Sequence, residues 1–171
     1  MSITLYQATV PSYLQILDST IGFMKKGEAY CRDNDLPDSE LVQARIIEDM
    51  LPLDFQVTMI CHHSRGAIEG VQQGHFSPVR DVEKDFAGLI SRLQGARDML
   101  ATLSEDEVNS LANRHLKFEA PGFEMDFDSE EFLFTFSLPN FYFHVTTAYN
   151  ILRMKGLNVG KLDFLGKMRT K

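Results

Sequence analysis

Two histidines occupy positions from which they can do chemistry. His63 lies four residues after Met59, three after Ile60 and four before Ala67. His144 follows Phe141 by three residues and precedes Ala148 by four and Ile151 by seven. Steps of three and four place each imidazole on the apolar face of a helix, so both point inward. Inward histidines on two helices can share one site. Neutral imidazole ligates zinc, nickel or iron, and a buried one is readily tuned as a general base. The same placement suits a hydrogen-bonded core histidine that binds nothing. His62 stands one step round the helix, on the side of Arg65 and Glu69, and is expected at the rim.

A zinc or nickel centre usually has at least three protein ligands. The natural third position, four after His144, is Ala148, which has no donor atom. Glu48, Asp49 and Asp54 offer carboxylates near the start of the second helix, but no spacing demands them, and Glu48-Asp49 reads as a solvated helix end. Met59, Phe141 and Tyr149 complete the set of pocket candidates. Cys61 adjoins His62, yet catalytic Cys-His pairs are made by folds rather than by adjacency, so a reduced buried thiol is expected. The aromatic run Phe132, Phe134, Phe136, Phe141, Tyr142 and Phe143 reads as core, with the option of lining a pocket or a dimer face. The chain has no P-loop, no Gly-rich dinucleotide turn and no nucleophile elbow.

The elements that must position these residues are helical. Tyr6, Val10, Leu14, Leu17, Ile21 and Met24 mark one face of a first helix that fades near Asp33 and Asn34, with Pro11 expected in its opening turn. Pro37-Asp38-Ser39 opens a short turn over 38–46. A second long helix runs from Pro52 to about Gln73, closed by Gly74. A third carries Phe86, Leu89, Leu93, Ala96, Leu100 and Leu103, and Ser104-Glu105-Asp106-Glu107 caps one more short helix. Residues 116–127 alternate apolar and polar about Pro121-Gly122, the pattern of a small β-hairpin. Asp128 with Glu131 forms a capping-box-like start to the fourth helix, which Pro139 should kink or delay. Gly156 ends it, and Phe164 and Leu165 pack the tail back on the bundle. Four amphipathic helices bury their stripes most simply as an all-α, up-and-down four-helix bundle spanning 1–171 as a single domain.

Composition narrows the rest. A chain of 171 residues buries roughly 70% of its unfolded surface and folds without a metal or disulfide. The net charge of -7 opposes binding to phosphate backbones, so no nucleic-acid partner is expected. Lys161, Lys167, Arg169 and Lys171 read as a solvated basic tail. Cys31 and Cys61 lack metal-type spacing and suggest a reducing compartment. No signal-peptide pattern or membrane-length apolar run is present, which by elimination points to the cytoplasm and to no membrane partner.

Four stretches resemble a bacterial and fungal family known as the domain of unknown function 1993. They are Leu5-Tyr6-Gln7-Ala8-Thr9-Val10-Pro11, Asp49 to Val57 (DMLPLDFQV), Leu138 to Tyr149 (LPNFYFHVTTAY), and Gly160-Lys161-Leu162-Asp163-Phe164-Leu165-Gly166. The resemblance covers nearly the whole chain and is most specific around His144. It implies the DinB-like superfamily of four-helix bundles, which are often dimers and include metal-dependent enzymes and thiol-dependent transferases or isomerases. It also implies a site of three histidines, one on the second helix and two, four residues apart, on the last. His63 matches the first and His144 one of the others, while Ala148 stands where the remaining ligand belongs. The expected function is therefore a small-molecule-binding or stress-related module with a degenerate metal site. The alternatives are a metal- or thiol-dependent enzyme using His63 and His144, with zinc or nickel as its cofactor, and a homodimeric scaffold.

Overall fold

The computed structural model describes residues 3–170; Lys171 of the basic tail lies outside them. Helix α1 (Leu5–Asp33) opens on a capping box: the Thr4 hydroxyl accepts from the Gln7 amide at 3.2 Å and the Gln7 side chain accepts from the Thr4 amide at 3.4 Å. This cap starts the helix early enough that Pro11 sits in its interior rather than in its opening turn. Such a proline costs about 3 kcal/mol. Burial of Val10, Tyr13, Leu17 and Met24 along the same helix offsets it.

The short helix α2 (Ser39–Val42) is smaller than the turn expected over 38–46. Asp38 makes no side-chain cap for it. Its carboxylate accepts instead from the Phe86 amide at 3.0 Å, tying the loop to the start of a helix far along the chain.

The second long helix spans the expected range but is not uniform. It consists of α3 (Leu53–Cys61), a π turn (His62–Gly66) and α4 (Ala67–Gln73), ended by Gly74 at φ 73°. Strand β1 (His75–Phe76) follows, then α5 (Phe86–Thr102) and α6 (Glu105–Asn109), the latter opened by the Ser104–Glu107 capping box. The expected hairpin is present as β2 (His115–Ala120) and β3 (Phe123–Asp128), antiparallel with Phe118 opposite Met125. β1 adds in parallel, pairing Phe76 with Phe118, to make a three-stranded sheet.

The fourth helix begins after Asp128, as expected, although Asp128 makes no side-chain cap. Glu130 in its first turn ties that end to the preceding loop by accepting from the Asn113 amide at 3.0 Å. The helix comprises α7 (Ser129–Glu131), a second π turn (Phe132–Ser137) and α8 (Leu138–Met154). The expected disturbance from Pro139 takes this form. A proline cannot bond to the residue four back and clashes with its carbonyl, and a widened turn before it relieves both.

α9 (Lys161–Leu165) returns the tail to α1. The Ser19 hydroxyl donates to the Phe164 carbonyl at 2.8 Å and Gln15 donates to the Leu165 carbonyl at 2.9 Å. α1 packs chiefly on α5, and α3 on α8, around one continuous apolar core. No helix of the described residues is long and apolar enough to cross a membrane.

Candidate functional site

The packing of α3 on α8 brings His63 and His144 together. Their rings are 5.8 Å apart between centroids and inclined by only 14°. His63 is 5% exposed and His144 9%. His62, expected at the rim, is half-buried, 5.4 Å from His63 ring to ring, and stacks on Phe76 at 4.1 Å. Phenyl rings line the pair: Phe136 lies 5.6 Å from His63, and Phe143 and Phe55 lie 5.2 and 6.3 Å from His144.

The two π turns explain why two neighbouring residues can both be held inside. A π turn inserts a residue and displaces the α-helical bonding pattern, which frees a carbonyl. Ser137, the last residue of the second π turn, donates its hydroxyl to the His63 carbonyl of the first at 2.9 Å. This bond clasps one widened turn to the other. Tyr13 of α1 reaches the same place. Its hydroxyl is sealed in the core without a well-formed hydrogen bond, and burial pushes its phenol far above the ordinary range, tempered only slightly by the Ser137 hydroxyl.

The electrostatics are those of uncharged imidazoles. Burial, with smaller contributions from the neighbouring His62 and His144, pushes His63 down to about 3. Burial likewise pushes His144 down to about 4, with a smaller contribution from His62. His62 falls to about 4 through burial, opposed by the Ser77 backbone. Removing a charge from water without a counter-ion is what drives all three shifts.

His144 has one firm partner. Its Nδ1 lies 2.7 Å from Gln56 Oε1, while Gln56 Nε2 donates to the Leu51 carbonyl at 2.8 Å. His63 Nδ1 and His62 Nε2 are sealed from solvent with no partner. Gln56 and Ser137 escaped the sequence reading, which weighed only titratable groups. Gln56 stands seven residues before His63, two helical turns, so the same periodicity carries it to the same face. Nothing in the sequence marks Ser137, whose partner is a carbonyl on another helix.

The other candidates separate. Met59 and Phe141 are buried, and Phe141 packs its ring against Tyr13 at 4.9 Å. Tyr149 lines a separate shallow groove of about 220 Å³ with Thr146, Asn150, Lys161 and Phe164. Cys61 is buried, and burial pushes its thiol up to about 12, which disfavours the thiolate. Asp54 is also buried, but Gln43 and the Phe55 amide occupy its two oxygens, each at 2.6 Å. Ala148 is buried with nothing to donate. Among the described residues no three His, Cys, Asp or Glu side chains converge as metal ligands would. The donor set does not fit a metal centre built on three protein ligands.

No functionally curated protein matches the chain. A crystal structure of a DinB family member from Shewanella denitrificans is similar to it throughout, with 28% sequence identity, a TM-score of 0.81, and coverage of 98% of this chain and 94% of that one. The family described as domain of unknown function (DUF1993) matches residues 5–165. With that match running through every helix of the bundle, the chain belongs to the DUF1993 family and has the DinB-like fold.

Proposed function

We propose that the protein is a small-molecule-binding module in which the metal site of the fold is degenerate. The observation that carries this reading is the stacked pair His63 and His144, 5.8 Å apart, neutral at physiological pH and without a third converging donor. Two imidazoles alone hold zinc or nickel weakly, since stable sites use three or four protein ligands. Bases shifted to about 3 and 4 are also poor general bases at neutral pH, where a catalytic base titrates near the working pH. The phenyl rings of Phe55, Phe136 and Phe143 beside the pair offer apolar contact to such a ligand. The free thiols Cys31 and Cys61 accord with a cytoplasmic setting.

The homodimer is a second reading, favoured by exposed aromatics at Phe134, Tyr142 and Phe143. Light scattering of the wild type beside Phe143→Glu tests it. A dimer that falls to a monomer supports the reading, and a monomeric wild type refutes it.

The binding reading is tested by elemental analysis of protein purified without a histidine tag, beside His144→Ala, after incubation of both with zinc and nickel. The expected result is no stoichiometric metal in either. A stoichiometric metal in the wild type, lost in the variant, overturns the degenerate site and makes metal-dependent catalysis the better reading.

A further inference from the structure

Strand β3 is an edge of the three-stranded sheet, and one of its two sides has no neighbouring strand. Lys117 of β2 donates its amide to the Gly74 carbonyl on the β1 side, so its backbone turns away from β3. Asp126 stands opposite Lys117, and Glu124 opposite Glu119. Bonded and non-bonded pairs alternate along an antiparallel ladder, which makes these two the non-bonded pairs. The amides and carbonyls of Glu124 and Asp126 therefore point outward from the edge. Beyond β2, none of these groups has a hydrogen-bond partner among the described residues. Such a row of free backbone groups pairs readily with another extended chain.

The side chains along the edge select what can pair there. Side chains alternate across a strand, so Phe123, Met125 and Phe127 share the core face with Leu116 and Phe118. Glu124, Asp126 and Asp128 share the outer face with His115, Lys117 and Glu119. Of these β2 and β3 residues, Lys117 is the single lysine or arginine against four carboxylates, and Glu119 faces Glu124 directly. The ties within this face, Lys117 to Glu124 at 3.3 Å and His115 to Asp126 at 3.0 Å, are exposed and weak for that reason. An acidic edge turns away most strands and favours one that carries a cation at every second residue.

Lys167-Met168-Arg169-Thr170-Lys171 has that pattern. As a strand it sets its cations on one face and Met168 and Thr170 on the other. Residues 167–170 are exposed and belong to no helix or strand. The edge of the same copy is out of reach for this segment. α9 brings Gly166 against Ser19 of α1, whereas Glu130, two residues past β3, lines one groove with Thr4, Leu5 and Asn109. Leu5 and Ser19 are about 20 Å apart along the helix. Five extended residues span at most about 17 Å, so the segment is spent before it can run alongside β3.

We infer that the free edge of β3 is an interaction surface that takes the basic segment 167–171 of a second copy as a fourth strand, its cations against Glu124, Asp126 and Asp128. Met168 then falls on the core face beside Phe123, which is 55% exposed. The surface lies on the sheet, not on the α8 face that carries Tyr142 and Phe143.

Backbone amide NMR of the full chain at low salt, over a range of protein concentrations, tests this. The Glu124 and Asp126 amides of the wild type are expected to shift with concentration. Arg169→Glu and Asp126→Arg, both at exposed positions, are each expected to associate about tenfold more weakly. Labelled Asp126→Arg mixed with unlabelled Arg169→Glu is expected to recover the shift, because each then meets the charge it lacks. Phe143→Glu is expected to leave it unchanged, which separates this contact from a dimer through α8. Edge amides that do not move with concentration in the wild type overturn the inference. So does a shift that survives Arg169→Glu. Edge amides that differ between wild type and Arg169→Glu at every dilution would place the segment on its own copy and overturn the second copy as occupant.

Discussion

Acidification should unfold this protein through its buried imidazoles. In the unfolded chain each histidine titrates near 6.5. In the fold His62, His63 and His144 stand near 4, 3 and 4. Between those limits the unfolded state binds more protons than the native one, so stability rises with pH across the window and is lost as pH falls below about 6.5. At pH 5 each group lowers stability by about 2 kcal/mol relative to neutral pH. The three together approach 6 kcal/mol, comparable with the roughly 5–15 kcal/mol of a whole domain. The lowered carboxylates Glu107, Glu130 and Asp163, held down mainly by hydrogen bonds from Ser104, Asn113 and Lys26, lose their contributions only at still lower pH. Urea unfolding followed by circular dichroism between pH 7.5 and 5 measures the slope. His63→Gln and His144→Gln should each remove about one proton from it, near 1.4 kcal/mol per pH unit. Slopes in both variants equal to the wild-type slope would refute the neutral-imidazole account, since the buried rings would then be charged or solvated in the fold.

Three further outcomes follow from packing. Ser137→Ala removes the hydroxyl's bond to the His63 carbonyl and should destabilise by about 1 kcal/mol, read as a fall in Tm of about 2–4 °C per kcal/mol; an unchanged Tm would show that the clasp between the π turns is idle. Gly166→Ala puts a methyl 2.9 Å from Ser19 Cβ at a residue with φ 62°, and limited proteolysis should then cut the α9 tail while the wild type resists. Cys61, with its thiol pushed up to about 12, should ignore a disulfide reagent in the native protein and react fully in urea; fast native labelling of Cys61 would mean that the α3 face opens.

Much of the bundle was legible in the residues themselves because helix formation is local. The three-four spacing of α1 and α5, the Ser104–Glu107 capping box, the Gly74 terminator and the alternation through 116–127 each depend on neighbours a few residues away. The inward placement of His63 and His144 belongs to the same class, since periodicity fixes which face a side chain occupies. Pro11 was misplaced by one local competitor, the Thr4 cap, which starts the helix earlier.

What tertiary structure alone decided lies where two helices meet. A π turn is the compromise between an α-helical ladder and a partner surface, and no spacing announces it. The turn over His62–Gly66 exists with its opposite over Phe132–Ser137, joined by a hydroxyl to a carbonyl 74 residues away. The pairing of Gln56 with His144 spans 88 residues, and neither residue type specifies it. Composition and periodicity deliver imidazoles to a core, whereas whether a third donor joins them is a matter of which side chains converge in space. In this chain the converging groups are phenyl rings and an amide, and the sequence held no local record of that choice.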